Sequence, residues 1–172
     1  AFTSAGQRCS ALRVLYIQED NAERVLDLLQ GAMQELSVGD PIQYKTDVGP
    51  VIDEKAQQGL KDHIAAISEK GKVLGRAPMP QETEKGTFVQ PVAVEISNIN
   101  ELDKEHFGPV LHVVKYKAKE LNKVINDING TGFGLTLGIH SRNESMAAYI
   151  ADMVNVGNVY INRNQIGAVV GV

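Results

Sequence analysis

The sequence predicts an α/β fold: a largely parallel sheet with helices on both faces. Three observations predict it. Four one-sided apolar stripes repeat at three- and four-residue spacing, six short runs are β-branched or apolar, and the two kinds alternate along the chain. Alternation of this sort favours parallel strands, because parallel neighbours need long crossover connections, and helices in those crossovers cover the sheet.

The elements follow in order. Residues 12–17 form the first strand. Asp20-Asn21-Ala22-Glu23 offers a helix cap, and Val25, Leu28, Leu29, Ala32, Met33 and Leu36 make the stripe behind it. Ala56, Leu60, Ile64 and Ile67 mark a second helix. Strands are expected at 72–74, 92–96 and 110–116. Pro78, Pro80 and several charges make 77–86 an exposed loop rather than a linker. A third helix carries Leu121, Val124, Ile125 and Ile128 and stops at Gly130. After a strand at 135–140, Ser141-Arg142-Asn143-Glu144 has a capping-box pattern before Met146, Tyr149, Ile150, Met153 and Val154. Each stripe should cover a sheet or a neighbouring helix. A last strand spans 158–162. Without an internal repeat or a low-complexity tract, one domain over 1–172 is the economical reading.

Composition narrows the function. At 172 residues and 43% apolar the chain can bury a sizeable core, and no apolar run reaches the roughly 18 to 20 residues of a membrane span. A net charge of -4, with no basic cluster interleaved with aromatics, argues against nucleic-acid binding by this segment. The start shows no signal-peptide pattern, and one cysteine cannot form an internal disulfide, so a reducing cytoplasm fits. Ala1 stands where an initiator methionine would be, and the end is apolar, so both ends read as cuts through a larger protein.

Several residues are candidates for chemistry. Cys9, in Ala5-Gly6-Gln7-Arg8-Cys9-Ser10-Ala11, has the surroundings of a nucleophile, yet no activating base lies beside it in sequence. Composition alone favours a buried cysteine acting as a small hydrophobe. His63, His106, His112 and His140 lack the spacing of a zinc site; each reads as a structural histidine, and no metal is expected. The glycines at 130, 132 and 134 have the wrong spacing for a dinucleotide loop and read as a turn. Lys104-Glu105-His106-Phe107-Gly108-Pro109-Val110, directly before an apolar strand, is an ordinary turn or a functional strand-end loop. The small residues of 162–168 could present backbone N–H groups to an anion.

Taken together, Gly6-Gln7-Arg8-Cys9, Glu105-His106-Phe107-Gly108-Pro109-Val110, Gly132-Phe133-Gly134-Leu135-Thr136 and Gly157-Asn158-Val159-Tyr160-Ile161-Asn162 resemble the aldehyde dehydrogenase superfamily, over essentially the whole chain. Gly6-Gln7-Arg8-Cys9-Ser10-Ala11-Leu12-Arg13, Thr46-Asp47-Val48-Gly49-Pro50-Val51-Ile52-Asp53 and the stretch from Asn162 to Gly171 are most similar to Δ1-pyrroline-5-carboxylate dehydrogenase domains of the bifunctional bacterial proline utilization A family. The resemblance implies NAD-dependent oxidation of L-glutamate γ-semialdehyde to L-glutamate, and it overturns the buried reading of Cys9. It makes Cys9 the nucleophile, with its own backbone N–H among the oxyanion donors. Glu105 matches the residue that binds the nicotinamide ribose, and Phe107 the ring near the nicotinamide. Ser10, Gly167 and Ala168 match the anchors of the substrate's α-carboxylate.

The same resemblance places the general-base glutamate, the oxyanion-hole asparagine and the NAD-binding domain before Ala1, and the oligomerisation segment after Val172. It implies FAD only in a separate proline dehydrogenase domain. The parent is expected to be a cytoplasmic homo-oligomer that can sit peripherally at the bacterial inner membrane, and the isolated segment is expected to be inactive. An aldehyde dehydrogenase of other specificity and a non-catalytic assembly module are the alternatives.

Overall fold

The computed structural model describes residues 1–167. Six strands and four α-helices follow in the expected alternation: β1 (Val14–Gln18), α1 (Glu19–Gln34), α2 (Glu54–Lys70), β2 (Lys72–Arg76), β3 (Val92–Glu95), β4 (Val110–Tyr116), α3 (Leu121–Gly130), β5 (Thr136–Ile139), α4 (Glu144–Met153) and β6 (Asn158–Ile161). They build a four-stranded sheet in the order β1-β4-β3-β2 and a separate pair, β5-β6. Three of the pairings are parallel, β1 with β4, β3 with β4 and β5 with β6; β2 runs antiparallel to β3. The division into two sheets is not a property of any one strand's sequence, since each run has the same β-branched character.

Side-chain alternation along the central strands sorts the core into two layers. Val92, Val94, Val110 and Val114 point to the face covered by Leu60, Ile64 and Ile67 of α2. Ala93, Leu111 and Val113 point to the other face, against Ala22, Leu26 and Met33 of α1. Helices therefore lie on both faces of the larger sheet. Full burial of each such valine or leucine stabilises the fold by roughly 1.5–3 kcal/mol.

Four helix details differ from the sequence reading. α1 starts at Glu19, directly after β1, so the cap expected at Asp20 is absent; Gln18 is the N-cap residue, and Glu19 and Asp20 instead place negative charge in the first turn. The inward face of α1 is Ala22, Val25, Leu26, Leu29 and Met33, with Leu36 packing beside it just past the helix end, while Leu28 is 64% exposed. α4 is capped by Asn143, whose Oδ1 accepts from Met146 N at 3.0 Å, and not by Ser141. Its Ala147 is buried, whereas Met146, Tyr149 and Met153 stay exposed instead of covering a neighbour. α2 begins at a true cap: Asp53 Oδ1 accepts from Ala56 N at 2.7 Å, a bond worth about 1 kcal/mol.

The parallel pairing of β1 with β4 fixes where the chemistry can lie. Val14 stands beside His112, so the segments leading into the two strands run side by side. Those segments are the cysteine motif and the Glu105–Pro109 motif. No helix among the described residues is long and apolar enough to cross a membrane.

Candidate active site

The cysteine loop is built from backbone outward. Ser4, Ala5 and Gly6 have φ of 53°, 51° and 65°, a left-handed turn that only glycine adopts without cost. A Cβ on Gly6 would fall inside van der Waals contact of the Gly108 carbonyl, and one on Gly108 would meet the Leu60 side chain of α2. Gly6 thus permits a direct approach of the two backbones, and Gly108 leaves room for Leu60 of α2 behind it. Gln7 fastens the loop to a third segment: its Oε1 accepts from Ile52 N at 2.9 Å and its Nε2 donates to Pro50 O at 3.4 Å.

Ala11 N donates to Arg8 O at 3.0 Å, closing a four-residue turn. Its two central residues differ in exposure: Cys9 is a free, exposed thiol, and Ser10 is 4% exposed. The buried reading of Cys9 that composition favoured therefore does not hold: of the two central turn residues it is Ser10 that is buried and Cys9 that is exposed. Ser10 Oγ donates to Ile166 O at 2.7 Å. That bond brings the loop after β6 to the residue beside the thiol.

The loop has its own order. Asn162, with φ 56°, exchanges hydrogen bonds with Ser141 at 2.9 Å in both directions, and Asn164 Oδ1 accepts from Ile166 N at 2.9 Å. Gly167 is exposed, with nothing among the described residues within 4 Å of where a Cβ would stand. Ala168 lies outside the described residues. Ser10 and Gly167 thus share one locale, with the hydroxyl proton of Ser10 committed to a carbonyl.

Glu105 and Phe107 meet on Arg13. Arg13 Nε lies 3.1 Å from Glu105 Oε1, and its guanidinium carbon lies 4.6 Å from the Phe107 ring centroid. The same guanidinium donates to Arg8 O at 2.8 Å and to Gly6 O. It joins the thiol loop to the acidic and aromatic residues of the second motif. Sequence reading passed over Arg13 because it is six residues from any other charge except Arg8; its position immediately before a strand paired with β4 was the available signal.

Beneath this junction three histidines gather that had each read as an isolated structural residue. His63 Nε2 is 2.9 Å from His112 Nε2, His63 and His106 stack with centroids 3.5 Å apart, and His106 Nε2 is 3.2 Å from Asp103 Oδ1. The network assigns the protons: His112 Nδ1–H donates to Arg13 O at 3.0 Å, so its Nε2 accepts from His63. His140, by contrast, lies exposed just past the end of β5. Among the described residues no group of His, Cys, Asp and Glu is arranged to hold a metal ion.

Burial, then the facing rings of His106 and His112 and the charge of Lys104, pull His63 down to about 4 against the opposing pull of Asp103. Burial also lowers His112, with the Arg13 carbonyl opposing and His106 and Arg13 adding to the decrease. The unfolded chain therefore binds more protons than the folded one between the ordinary histidine value of about 6.5 and about 4. Stability is full above that window and falls as pH drops through it. The Asp103 carboxyl, held below its usual value by its hydrogen bond to His106, favours the fold above the ordinary carboxyl range and loses that contribution only at still lower pH. Thermal midpoints measured from pH 7 to 4 should fall for the native sequence and fall less for His63→Gln; equal slopes would dismiss the cluster as the source.

The aldehyde dehydrogenase family model matches residues 1–171. The chain is 49% identical over 177 residues to the bifunctional protein PutA of Klebsiella aerogenes, covering 100% of this chain and 14% of that protein. It is 37% identical to a 1-pyrroline-5-carboxylate dehydrogenase of a Geobacillus species, covering 99% of this chain and 33% of that protein. A crystal structure of a mutant of Bradyrhizobium japonicum proline utilization A superposes with a TM-score of 0.94 at 49% identity, covering 100% of this chain and 17% of that one. With the exposed thiol, its glycine-dependent contact with the Glu105–Pro109 motif and a match along nearly its whole length, the chain belongs to the aldehyde dehydrogenase family.

Proposed function

We propose that this chain supplies the thiol-bearing part of an NAD-dependent L-glutamate γ-semialdehyde dehydrogenase acting in proline catabolism. The observation that carries the reading is the Ser10–Ile166 bond, which sets an exposed Cys9 beside the loop ending in Gly167. A nucleophile for an aldehyde carbon and backbone donors for a substrate carboxylate then lie at the two ends of one short site. The similarity to bifunctional PutA proteins and to a 1-pyrroline-5-carboxylate dehydrogenase supports the substrate class.

In this reading Cys9 attacks the aldehyde carbon as thiolate to give a hemithioacetal, its own backbone N–H stabilises the developing oxyanion, loss of the C–H hydride to the acceptor would leave a thioester on Cys9, and water would then cleave it to release the acid and the free thiol. The carboxylate anchors are Ser10, Gly167 and Ala168. Ser10 serves as a donor after releasing Ile166, and the loop's small residues let the anion reach backbone N–H groups. The residues present fit NAD+: Glu105 is held with one oxygen on Arg13, and Phe107 is 44% exposed beside it. Glu105 would take ribose hydroxyls and Phe107 would flank the nicotinamide. NAD+, when bound, supplies the hydride acceptor. The activating base and most NAD+ contacts would come from outside these residues, FAD would belong to a separate proline dehydrogenase domain, and the parent would be a cytoplasmic homo-oligomer.

Substrate preference tests the reading. In the full-length protein, kcat/KM for glutamate γ-semialdehyde should exceed that for pentanal by on the order of a hundredfold or more, because polar groups aimed at a carboxylate are left unpaired by an alkyl chain. Comparable values for the two aldehydes would move the protein to another specificity within the family.

A further inference from the structure

We propose that Arg13 is a positioning residue that sets NAD+ affinity through Glu105 and couples it to the thiol loop. The inference rests on the cofactor named in the proposed function. Its ground is the number of different groups that one side chain, 16% exposed, holds at once. Nε fixes Glu105 Oε1 at 3.1 Å, one terminal nitrogen donates to Gly6 O and the other to Arg8 O at 2.8 Å, and the guanidinium plane lies over Phe107.

The base of the side chain is equally fixed. Arg13 O accepts from both His112 N and His112 Nδ1 at 3.0 Å, which locks the residue to the start of β4. A guanidinium anchored there can turn little. Glu105, 27% exposed on its side chain, is thereby held with one oxygen occupied and the other left for a hydroxyl donor. A charge-neutralised carboxylate beside an aromatic ring covered by guanidinium suits a ligand that combines a sugar diol with a flat ring. Lysine cannot reproduce the arrangement: it is a point charge without the planar fork that reaches a carboxylate, two carbonyls and a ring together.

The test is a double-mutant cycle in the full-length protein, using Arg13→Lys, Glu105→Gln and the double variant, with NAD+ dissociation constants measured by calorimetry. Arg13→Lys alone should weaken NAD+ about tenfold, the loss expected of one charge-assisted bond, and the same change in the Glu105→Gln background less than about twofold. A second readout needs no cofactor. Arg13→Met releases the Gly6 and Arg8 carbonyls and should change the rate of Cys9 alkylation by iodoacetamide, whereas Glu105→Gln should not. Equal weakening in both backgrounds, or unchanged NAD+ binding in Arg13→Lys, overturns the inference while leaving the proposed function intact. Failure of the unaltered protein to bind NAD+ overturns the cofactor and the inference with it, and normal coupling without turnover of glutamate γ-semialdehyde overturns only the substrate.

Discussion

Cys9→Ala in the full-length protein should abolish oxidation of the aldehyde, by at least about a thousandfold in kcat, or roughly 4 kcal/mol of lost transition-state stabilisation. The size follows from the role. A general base lost from a site slows a step that water can still manage, but a lost nucleophile removes the covalent route, and no second thiol exists in the chain to replace it. The change should not disturb the fold. Cys9 is exposed at a turn, so its truncation should leave stability within about 0.5 kcal/mol, as is usual for surface substitutions away from packing or caps. Unchanged NAD+ affinity alongside lost turnover would separate a chemical role from a structural one. NADH production within tenfold of the native rate would remove Cys9 from the mechanism and favour the assembly-module reading.

The sequence was legible where a residue's local pattern decides its state. Leu60, Ile64 and Ile67 repeat at the spacing of one helix face and are buried on it; the valines of β3 and β4 are found in strands. Leu28 misled because spacing from Val25 and Ala32 is compatible with a stripe, while the face that packs is decided by α1 crossing β1, β2 and β4. The candidate site was legible only as separate motifs. What joins them is non-local: Gly6 lies against Gly108, Ser10 bonds Ile166, and Arg13 reaches Glu105. The three histidines show the same limit, since residues 63, 106 and 112 meet only after α2 packs across the sheet onto β4. No periodicity encodes a contact of that kind.

Among the described glycines, Gly6→Ala should be the most damaging methyl addition. The new Cβ would enter the space of the Gly108 carbonyl, which is backbone and cannot swing aside as a flexible side chain would. Left-handed φ adds a cost of about 1–2 kcal/mol for an alanine, and overpacking typically adds 1–3, so a loss of roughly 2–5 kcal/mol is expected. Against a total stability of about 5–15 kcal/mol that is enough to depress the thermal midpoint markedly. The effect on activity should exceed the effect on folding. Gly6 O is an acceptor for Arg13, Gln7 follows with its grip on Ile52, and Cys9 stands two residues further on. Displacing Gly6 therefore moves the thiol and the Arg13–Glu105 pair together. Gly59→Ala is the matched control: in the exposed middle of α2, with nothing within 4 Å of its Cβ position, it should stabilise by about 0.5–1 kcal/mol. Thermal unfolding and turnover of the two variants side by side decide the matter. If Gly6→Ala is tolerated as well as Gly59→Ala, the contact between the two glycine motifs is not what aligns the thiol with Glu105 and Phe107.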